Sequence, residues 1–356
     1  MKREEFVHCL QSVTPSLLSG SKTLEQADCL IFRKGEVCTY NDEMCCRCPM
    51  PNGFDDKFSG AVPAKKLLEQ LGKWTDKDIE IVAENGRLNI SSGKRKTWLR
   101  TSKDIRLPIH QVERPETYTR LPIGYTEAVS TVGSCAGTDK NDWHLMCVHI
   151  HPDRIEASNR RQICRWKLTT KLKKPILVKQ YAIANLSSAA PDRFAETKHW
   201  MHFFNKESGL VMSCRRYADD QVKKYPDLDV PLEIHKGRTV SLEFVPPEEV
   251  ERAAVFSKEN DRDFITVEID DAGKARISSE GVSGGYRGKS FSFKGWKGKA
   301  ASFRISPAVL INLVKLHPEA TIGCSRAAKE SRGQPNRLKA VTPTYEYITS
   351  LAPVKA

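Results

Sequence analysis

One layout of helices and strands recurs three times along this chain, at intervals of roughly 120 residues, and it limits the possible folds more than any other feature. Near the start, Phe6, Leu10 and Val13 fall at i, i+4 and i+7 on one helix face, with Arg3, His8 and Gln11 opposite. In the second third, a segment from Gly124 sets Ala128, Val129, Val132 and Cys135 on one face. In the last third, Pro246 and Pro247 open PPEEVERAAVFS, whose apolar face holds Val250, Ala253 and Ala254. Proline in a first turn and acids such as Glu248 and Glu249 near the positive helix end both suit a helix start. A second helix follows each of these. Pro63 starts PAKKLLEQLGKW, with Ala64, Leu67, Leu68 and Leu71 on one face; Val178 to Ser188 repeats the pattern more weakly; Ser306 and Pro307 cap SPAVLINLVKLH.

Strand-like stretches lie between and after these helices. DCLIFRKGEVCTYNDE reads as two strands joined at Lys34-Gly35, and IEIVAENGRLNISSGKRKTWL alternates and turns at Asn85-Gly86. Further turns are expected at Pro152-Asp153, Ser208-Gly209 and Ala272-Gly273. Each third therefore reads helix, strands, helix, strands, with linkers around 114–122 and 225–237. The expected organisation is α+β, in three units of equal plan at 1–115, 120–232 and 237–356, a division that 356 residues accommodate.

Lys and Arg outnumber Asp and Glu by 57 to 44, a formal charge of +13 that favours a polyanionic partner. No apolar run approaches the ~20 residues that span a bilayer, and the start MKREEFVHCLQSV mixes charge into its apolar residues, unlike a secretory signal. A cytoplasmic protein is expected. The 11 cysteines are an odd number, against a disulfide framework, and Cys45, Cys46 and Cys48 lack the spacing and distant partners of a zinc site. Neither a metal nor another cofactor is expected.

Several segments resemble bacterial-type DNA sliding clamps, the beta subunits of DNA polymerase III. FSGAVPAKKLLEQL followed by ENGRLNISSGKRKTWL resembles the family's first domain, and Tyr40-Asn41-Asp42-Glu43 sits at its strand-ending polar motif. IEASNRRQICRWKL (155–168) resembles the strand and loop beside the family's partner pocket. YPDLDVP (225–231) resembles its second linker, and RAAVFS (252–257) the opening helix of its third domain. The resemblance runs over nearly the whole chain, in order. Two departures stand out: the family's first strand is missing or shortened, because helical pattern begins by Lys2, and the hydrophobic, basic C-terminal tail is replaced by SLAPVKA.

The resemblance implies three clamp domains per chain, each with two helices on a curved antiparallel sheet, forming half of a head-to-tail ring. It implies a processivity factor, not an enzyme, that encircles duplex DNA without reading sequence and tethers polymerase and clamp loader through short peptides. DNA contacts are then expected from Lys2, Arg3, Lys65, Lys66, Lys73, Arg252 and Lys315 on helix faces, and from loops carrying Lys22, Lys140 and Trp143. For each lysine or arginine a plain solvated side chain is the alternative; for Trp143 it is packing at a strand start. The implied peptide pocket involves Ser158, Arg161, Gln162, Ile163 and Pro226, with Leu351, Pro353 and Val354 from the tail; Gln162 stands where the family usually has a basic residue. Ring closure as a homodimer is implied at Trp98 and Leu99 on one chain against Val255 and Phe256 on the other, although Trp98 packed inside its own domain is a second reading.

Two other functions fit parts of the sequence. GGYRGKSFSFKGWKGK (284–299) interleaves Tyr286, Phe291, Phe293 and Trp296 with cations, a pattern that stacks on single-stranded bases. Against that, Phe291 and Phe293 alternate as in a half-buried strand. For an enzyme, Asp42 with Glu43 or Asp219 with Asp220 are the candidate metal-binding acids, but acid pairs at turns are usually solvated. The glycines at 281–288 form no phosphate fingerprint.

Overall fold

The computed structural model describes residues 1–18, 24–233, 238–241, 245–259, 263–292, 300–316, 321–325 and 337–351, with backbone only at 230, 233, 238–241, 315–316 and 321–325. The chain divides into two compact units. The first comprises Met1–Gly133, Met146–Asp153 and Thr169–Lys224; the second comprises Ser134–Leu145, Arg154–Leu168 and Tyr225–Ala356.

In the first unit, the helix Arg3–Ser12 buries Phe6, Cys9 and Leu10, as their spacing requires. The helix Ala64–Gly72, preceded by Pro63, buries Ala64, Leu67 and Leu71, and Tyr125–Gly133 buries Ala128, Val129 and Val132. The weaker pattern at Val178–Ser188 behaves differently. Val178 belongs to the strand Ile176–Lys179, and the helical part is two four-residue pieces, Gln180–Ile183 and Leu186–Ala189. A run of four residues leaves most backbone donors and acceptors without an intrahelical partner, so these pieces depend on packing of Ala182, Ile183 and Leu186.

The main sheet of this unit is antiparallel throughout. Its order is Cys147–His151, Ile176–Lys179, Val211–Tyr217, Met44–Pro49, Glu36–Asn41, Cys29–Arg33, Gly60–Pro63. Val211–Tyr217 is the organising strand: Val211 to Cys214 pair with Met44–Arg47, and Arg216 and Tyr217 with Val178 and Leu177. The same strand also pairs with Trp200–Phe204, which continues into Arg193–Glu196 and Thr119–Arg120. A separate three-stranded sheet is formed by Glu80–Glu84, Arg87–Ser92 and Arg95–Arg100. The expected hairpin turns are present. Lys34 and Gly35 have φ of 48° and 71°, and Asn85 and Gly86 have 51° and 71°; two positive φ values in succession match the twist of the flanking strands. At Gly209 (φ 72°) a Cβ would stand 2.6 Å from Pro49 Cγ, so only glycine fits.

The sequence departure at the N-terminus has a structural counterpart. Lys2 makes a single antiparallel bridge with Asp78, flanked by Met1 N to Ile79 O (2.8 Å) and Arg3 N to Lys77 O (2.9 Å). The expected missing strand is thus reduced to a bridge.

In the second unit, Arg238–Ser241, Thr321–Ser325, Arg337–Val341, Tyr345–Ser350, Gln162–Lys167 and Arg154–Ser158 run as successive antiparallel neighbours. A second sheet orders Gly285–Arg287, Lys274–Glu280, Ile265–Ile269 and Ala301–Ile305, with Phe291–Ser292 also on Lys274–Glu280. Helix Pro247–Ser257 packs on it and against helix Pro307–Leu316, and the two bury Val250, Ala253, Ala254, Leu310, Leu313 and Val314. The linker at 225–237 contains a short helix, Asp229–Glu233. No helix among the described residues is long and apolar enough to cross a membrane.

Candidate nucleic-acid and partner interfaces

The exposed lysines of the helix Ala64–Gly72 follow from its pattern: once Ala64, Leu67 and Leu71 face inward, Lys65, Lys66 and the capping Lys73 must face out. None of the three is in an ion pair among the described residues, and neither is the exposed Lys140 in the short 3-10 turn Lys140–Asp142. Trp143 follows that turn, half-buried, its ring 4.1 Å from that of His144. The other expected contacts are engaged in the fold. Lys2 pairs with Asp78 at 2.9 Å. Arg3 donates to the carbonyls of Leu71 (3.0 Å) and Asp76 (3.1 Å), tying the first helix to the end of the second. Arg252 pairs with Glu249 at 3.2 Å. Lys22 and the side chain of Lys315 lie outside the described residues.

The helix faces are less basic than their sequence spacing implied. The first helix exposes Glu4, Glu5, His8 and Gln11, and Pro247–Ser257 exposes Glu248 and Glu251 beside Arg252. More positive charge lies on the three-stranded sheet that carries Trp98 and Leu99, where Arg87, Lys94, Arg95, Lys96 and Arg100 are all exposed. Along its last strand the pleat sends neighbours to opposite faces. Leu99 is buried opposite Leu88, while Trp98 is 49% exposed under the Arg87 guanidinium, 4.2 Å from the ring centre. On the second unit Val255 is 63% exposed and Phe256 half-buried against the turn at Gly281–Gly284. Val282, 89% exposed in that turn, was not singled out from sequence; its only signal was a bulky apolar residue in a glycine-rich turn.

The described residues expected at the peptide pocket all belong to the second unit. Asn159 makes the turn between Arg154–Ser158 and Gln162–Lys167, its Oδ1 accepting from the amides of Arg161 (3.1 Å) and Gln162 (2.7 Å). Arg160 adopts φ 69° there, its amide donates to Ser158 Oγ, and its guanidinium reaches Asp142 at 2.7 Å. The C-terminal strand Tyr345–Ser350 pairs alongside: Ile163 stands opposite Ile348, Gln162 opposite Thr349, and the Ser350 amide donates to Arg161 O at 2.8 Å. Leu351, 6% exposed, follows directly, while Pro353 and Val354 lie outside the described residues.

The pleat sorts this group. Ser158, Ile163 and Ile348 share one face; Gln162 falls on the other, with Cys164 and Tyr347. Beside the apolar row runs an ionic one. Arg165 Nε donates to Glu156 (2.6 Å) and its Nη1 meets Asp229 (2.6 Å), while Lys339 reaches Leu232 O and Glu346, both at 3.0 Å. Burial disfavours the Arg165 charge, but Glu156 and Asp229 outweigh it and hold the pKa above the usual arginine value. These contacts pin the short helix Asp229–Glu233 to the sheet; Pro226, just before it in the chain, is exposed between buried Tyr225 and Leu228. The ionic row was missed from sequence, because nothing local pairs Arg165 with Asp229 across 64 residues.

Tyr286 donates to Glu249 at 2.7 Å from a strand paired with Lys274–Glu280, where Phe291 also pairs; Phe293 and Trp296 lie outside the described residues. Glu43 accepts from Tyr217 (2.7 Å) and pairs with Lys179 (3.1 Å). Asp220 pairs with Lys223 at 2.8 Å. Among the described residues no three His, Cys, Asp or Glu side chains stand together as metal ligands.

No protein-family model matches this chain, and no curated protein matches its sequence. Solved structures do. The DNA polymerase III beta subunit of Thermotoga maritima superposes with a TM-score of 0.81 at 14% identity, over 100% of this chain and 99% of that one. The DNA polymerase III beta chain of Streptococcus pneumoniae gives 0.81 at 13% identity, over 99% and 98%. The DNA polymerase sliding clamp of Bacillus subtilis gives 0.78 at 14% identity, over 100% and 98%. From end to end, this chain has the fold of the bacterial DNA polymerase sliding clamps.

Proposed function

We propose that this chain is a DNA sliding clamp: two copies close head to tail around duplex DNA and hold a polymerase to it without reading sequence. The observation that carries the reading is likeness over the full length to clamps that share so little sequence with it. The three modules are 1–115, 120–232 and 237–356, each contributing two helices to the lining of the ring. Twelve helices with axes ~8–10 Å apart lie on a circle ~30–38 Å across; removing one helix diameter of ~10 Å leaves an opening of ~20–28 Å. That admits a duplex with room for water between protein and phosphate.

Lys65, Lys66, Lys73 and Lys140 face the phosphates, because they are exposed and free of acidic partners among the described residues. Lys22 and Lys315 join them. Trp98 of one copy meets Val255 and Phe256 of the other; Val282 belongs to the same apolar patch, and the Arg87–Arg100 cluster faces the acids of the opposing helix. Polymerase and loader peptides bind over Ile163 and Ile348, with Ser158, Arg161, Pro226, Leu351, Pro353 and Val354 around them and Gln162 at the margin. Nothing in the reading calls for catalysis or a cofactor.

Electron-microscope images of the purified protein, with its mass in solution, test this. The expected particle is a closed ring of twice 40.1 kDa with a central opening. Solid particles of any mass would exclude the reading.

A further inference from the structure

An arginine lies inside the first unit with no acid to meet it. Arg47 stands mid-strand in Met44–Pro49, opposite Cys38 on one side and Val211 on the other, and is 5% exposed. Its Nε has no hydrogen-bond partner among the described residues. Its Nη2 reaches only a main-chain oxygen, Glu113 O, at 3.5 Å. Among the described residues no carboxylate forms an ion pair with it. Other inward-lying arginines are paired: Arg165 meets Glu156 at 2.6 Å, and Arg216 meets Glu196 at 2.9 Å. Arginine does not shed its proton to escape burial, and a cation taken out of water without a counter-charge is strongly unfavourable. A buried polar atom left in this way calls for an explanation.

Two more guanidiniums belong to the same sheet face. Directly opposed residues on neighbouring strands share a face, as do residues two apart along one strand. Two positions before Cys38, Glu36 stands opposite Arg33, whose Nε is also buried without a hydrogen bond and lies 3.9 Å from the Glu36 carboxylate. Arg114 pairs with the same carboxylate oxygen. The Glu113 carboxylate is engaged elsewhere, accepting from the His199 amide at 3.3 Å. Three guanidiniums thus share one carboxylate. On this face Ile31, Cys38 and Cys45 join an apolar cluster with Leu107, Ile109 and Val112, so Arg47 lies at the border between that cluster and the exposed Arg114.

We propose that Arg47, Arg33 and Arg114 bind the phosphate group of a small molecule, with Arg47 as the buried anchor. The planar guanidinium fork matches two phosphate oxygens at once, and the two uncompensated positive charges match a phosphate dianion. Free phosphate and the end of a nucleotide present the same oxygens. Phe204, opposite Val211 and so on the same face, pairs with the half-buried Tyr118 ring at 4.9 Å and offers an aromatic surface to a base. The site stands whether or not the chain closes into a ring.

Thermal melting of the full chain tests this with inorganic phosphate, ATP and adenosine, at fixed ionic strength to hold screening constant. Saturating phosphate should raise the wild-type midpoint by about 2–5 °C, and adenosine should not. Tighter binding of ATP than of phosphate would assign the site to nucleotides; equal or weaker binding would assign it to free phosphate. Arg47→Met removes the unpaired charge at similar volume, so without ligand it should melt no lower than wild type, and its phosphate shift should vanish. Arg114→Gln changes an exposed side chain, and decides the matter if Arg47→Met does not fold; its phosphate affinity should fall about tenfold. Lys77→Ala, at an exposed lysine outside the site, should bind phosphate as wild type does. A wild-type midpoint indifferent to both phosphate and ATP, an adenosine shift equal to that of ATP, or a phosphate shift undiminished in either arginine variant would overturn the proposal.

Discussion

His202 is fully buried between two hydroxyls, 2.8 Å from Ser213 Oγ and 2.9 Å from Thr197 Oγ1. Burial, reinforced by the nearby Arg47, lowers its pKa from 6.5 to about 4. Below pH 6.5 the unfolded chain takes up a proton that the folded chain refuses until about pH 4. Stability present above 6.5 is therefore lost as pH falls through that window, by up to ~3 kcal/mol. Denaturant titrations between pH 7 and 4 should show the loss, and His202→Gln should flatten it; an unchanged slope would place the effect elsewhere. Arg3 and Lys65 give a contrasting pair. Arg3→Ala removes two hydrogen bonds to carbonyls and should cost ~1–2 kcal/mol of stability with little change in the salt dependence of DNA binding. Lys65→Ala with Lys66→Ala should leave stability within ~0.5 kcal/mol but reduce the slope of log affinity against log salt by about one or two. If Arg3→Ala alters the slope more than the lysine pair does, the assignment of contacts is wrong.

At the scale of elements, the strand Tyr345–Ser350 is the one on which the second unit turns. It sits between Arg337–Val341 and Gln162–Lys167 and brings Ile348 to Ile163. Deleting 352–356 should leave the melting temperature unchanged and weaken a polymerase peptide, whereas deleting from Tyr345 should unfold the unit. Ile163→Asp should abolish peptide binding; calorimetry with a short clamp-binding peptide reads both. Helices and hairpins were legible where local chemistry decides them. Phe6 and Leu10, Leu67 and Leu71, and the turns Lys34-Gly35 and Asn85-Gly86 needed no distant partner. Where tertiary contacts decide, sequence misled or was silent. Val178–Ser188 begins in a strand, not a helix, because Leu177 and Val178 pair with Tyr217 and Arg216. Arg3, read as a phosphate contact, is consumed by Leu71 and Asp76. The Arg165–Glu156–Asp229 row, and the pleat that turns Gln162 away from Ile163, depend on register that no short window carries.

For the whole molecule, ring closure requires the edge strand Arg95–Arg100 to meet a second copy. Trp98→Ala removes an exposed ring and its contact with Arg87, which costs the monomer under ~1 kcal/mol. The dimer should lose at least about tenfold in affinity, ~1.4 kcal/mol. Sedimentation against concentration checks this, and an unchanged dimer would place the interface elsewhere. Encirclement itself has a direct test that needs no loader. The protein is threaded onto linear duplex through free ends, the ends are blocked with a bulky protein, and the DNA is washed in high salt, which strips contacts held by charge. An encircling ring should stay until a restriction enzyme cuts the duplex, and then leave at once; loss in the salt wash with both ends still blocked would contradict encirclement.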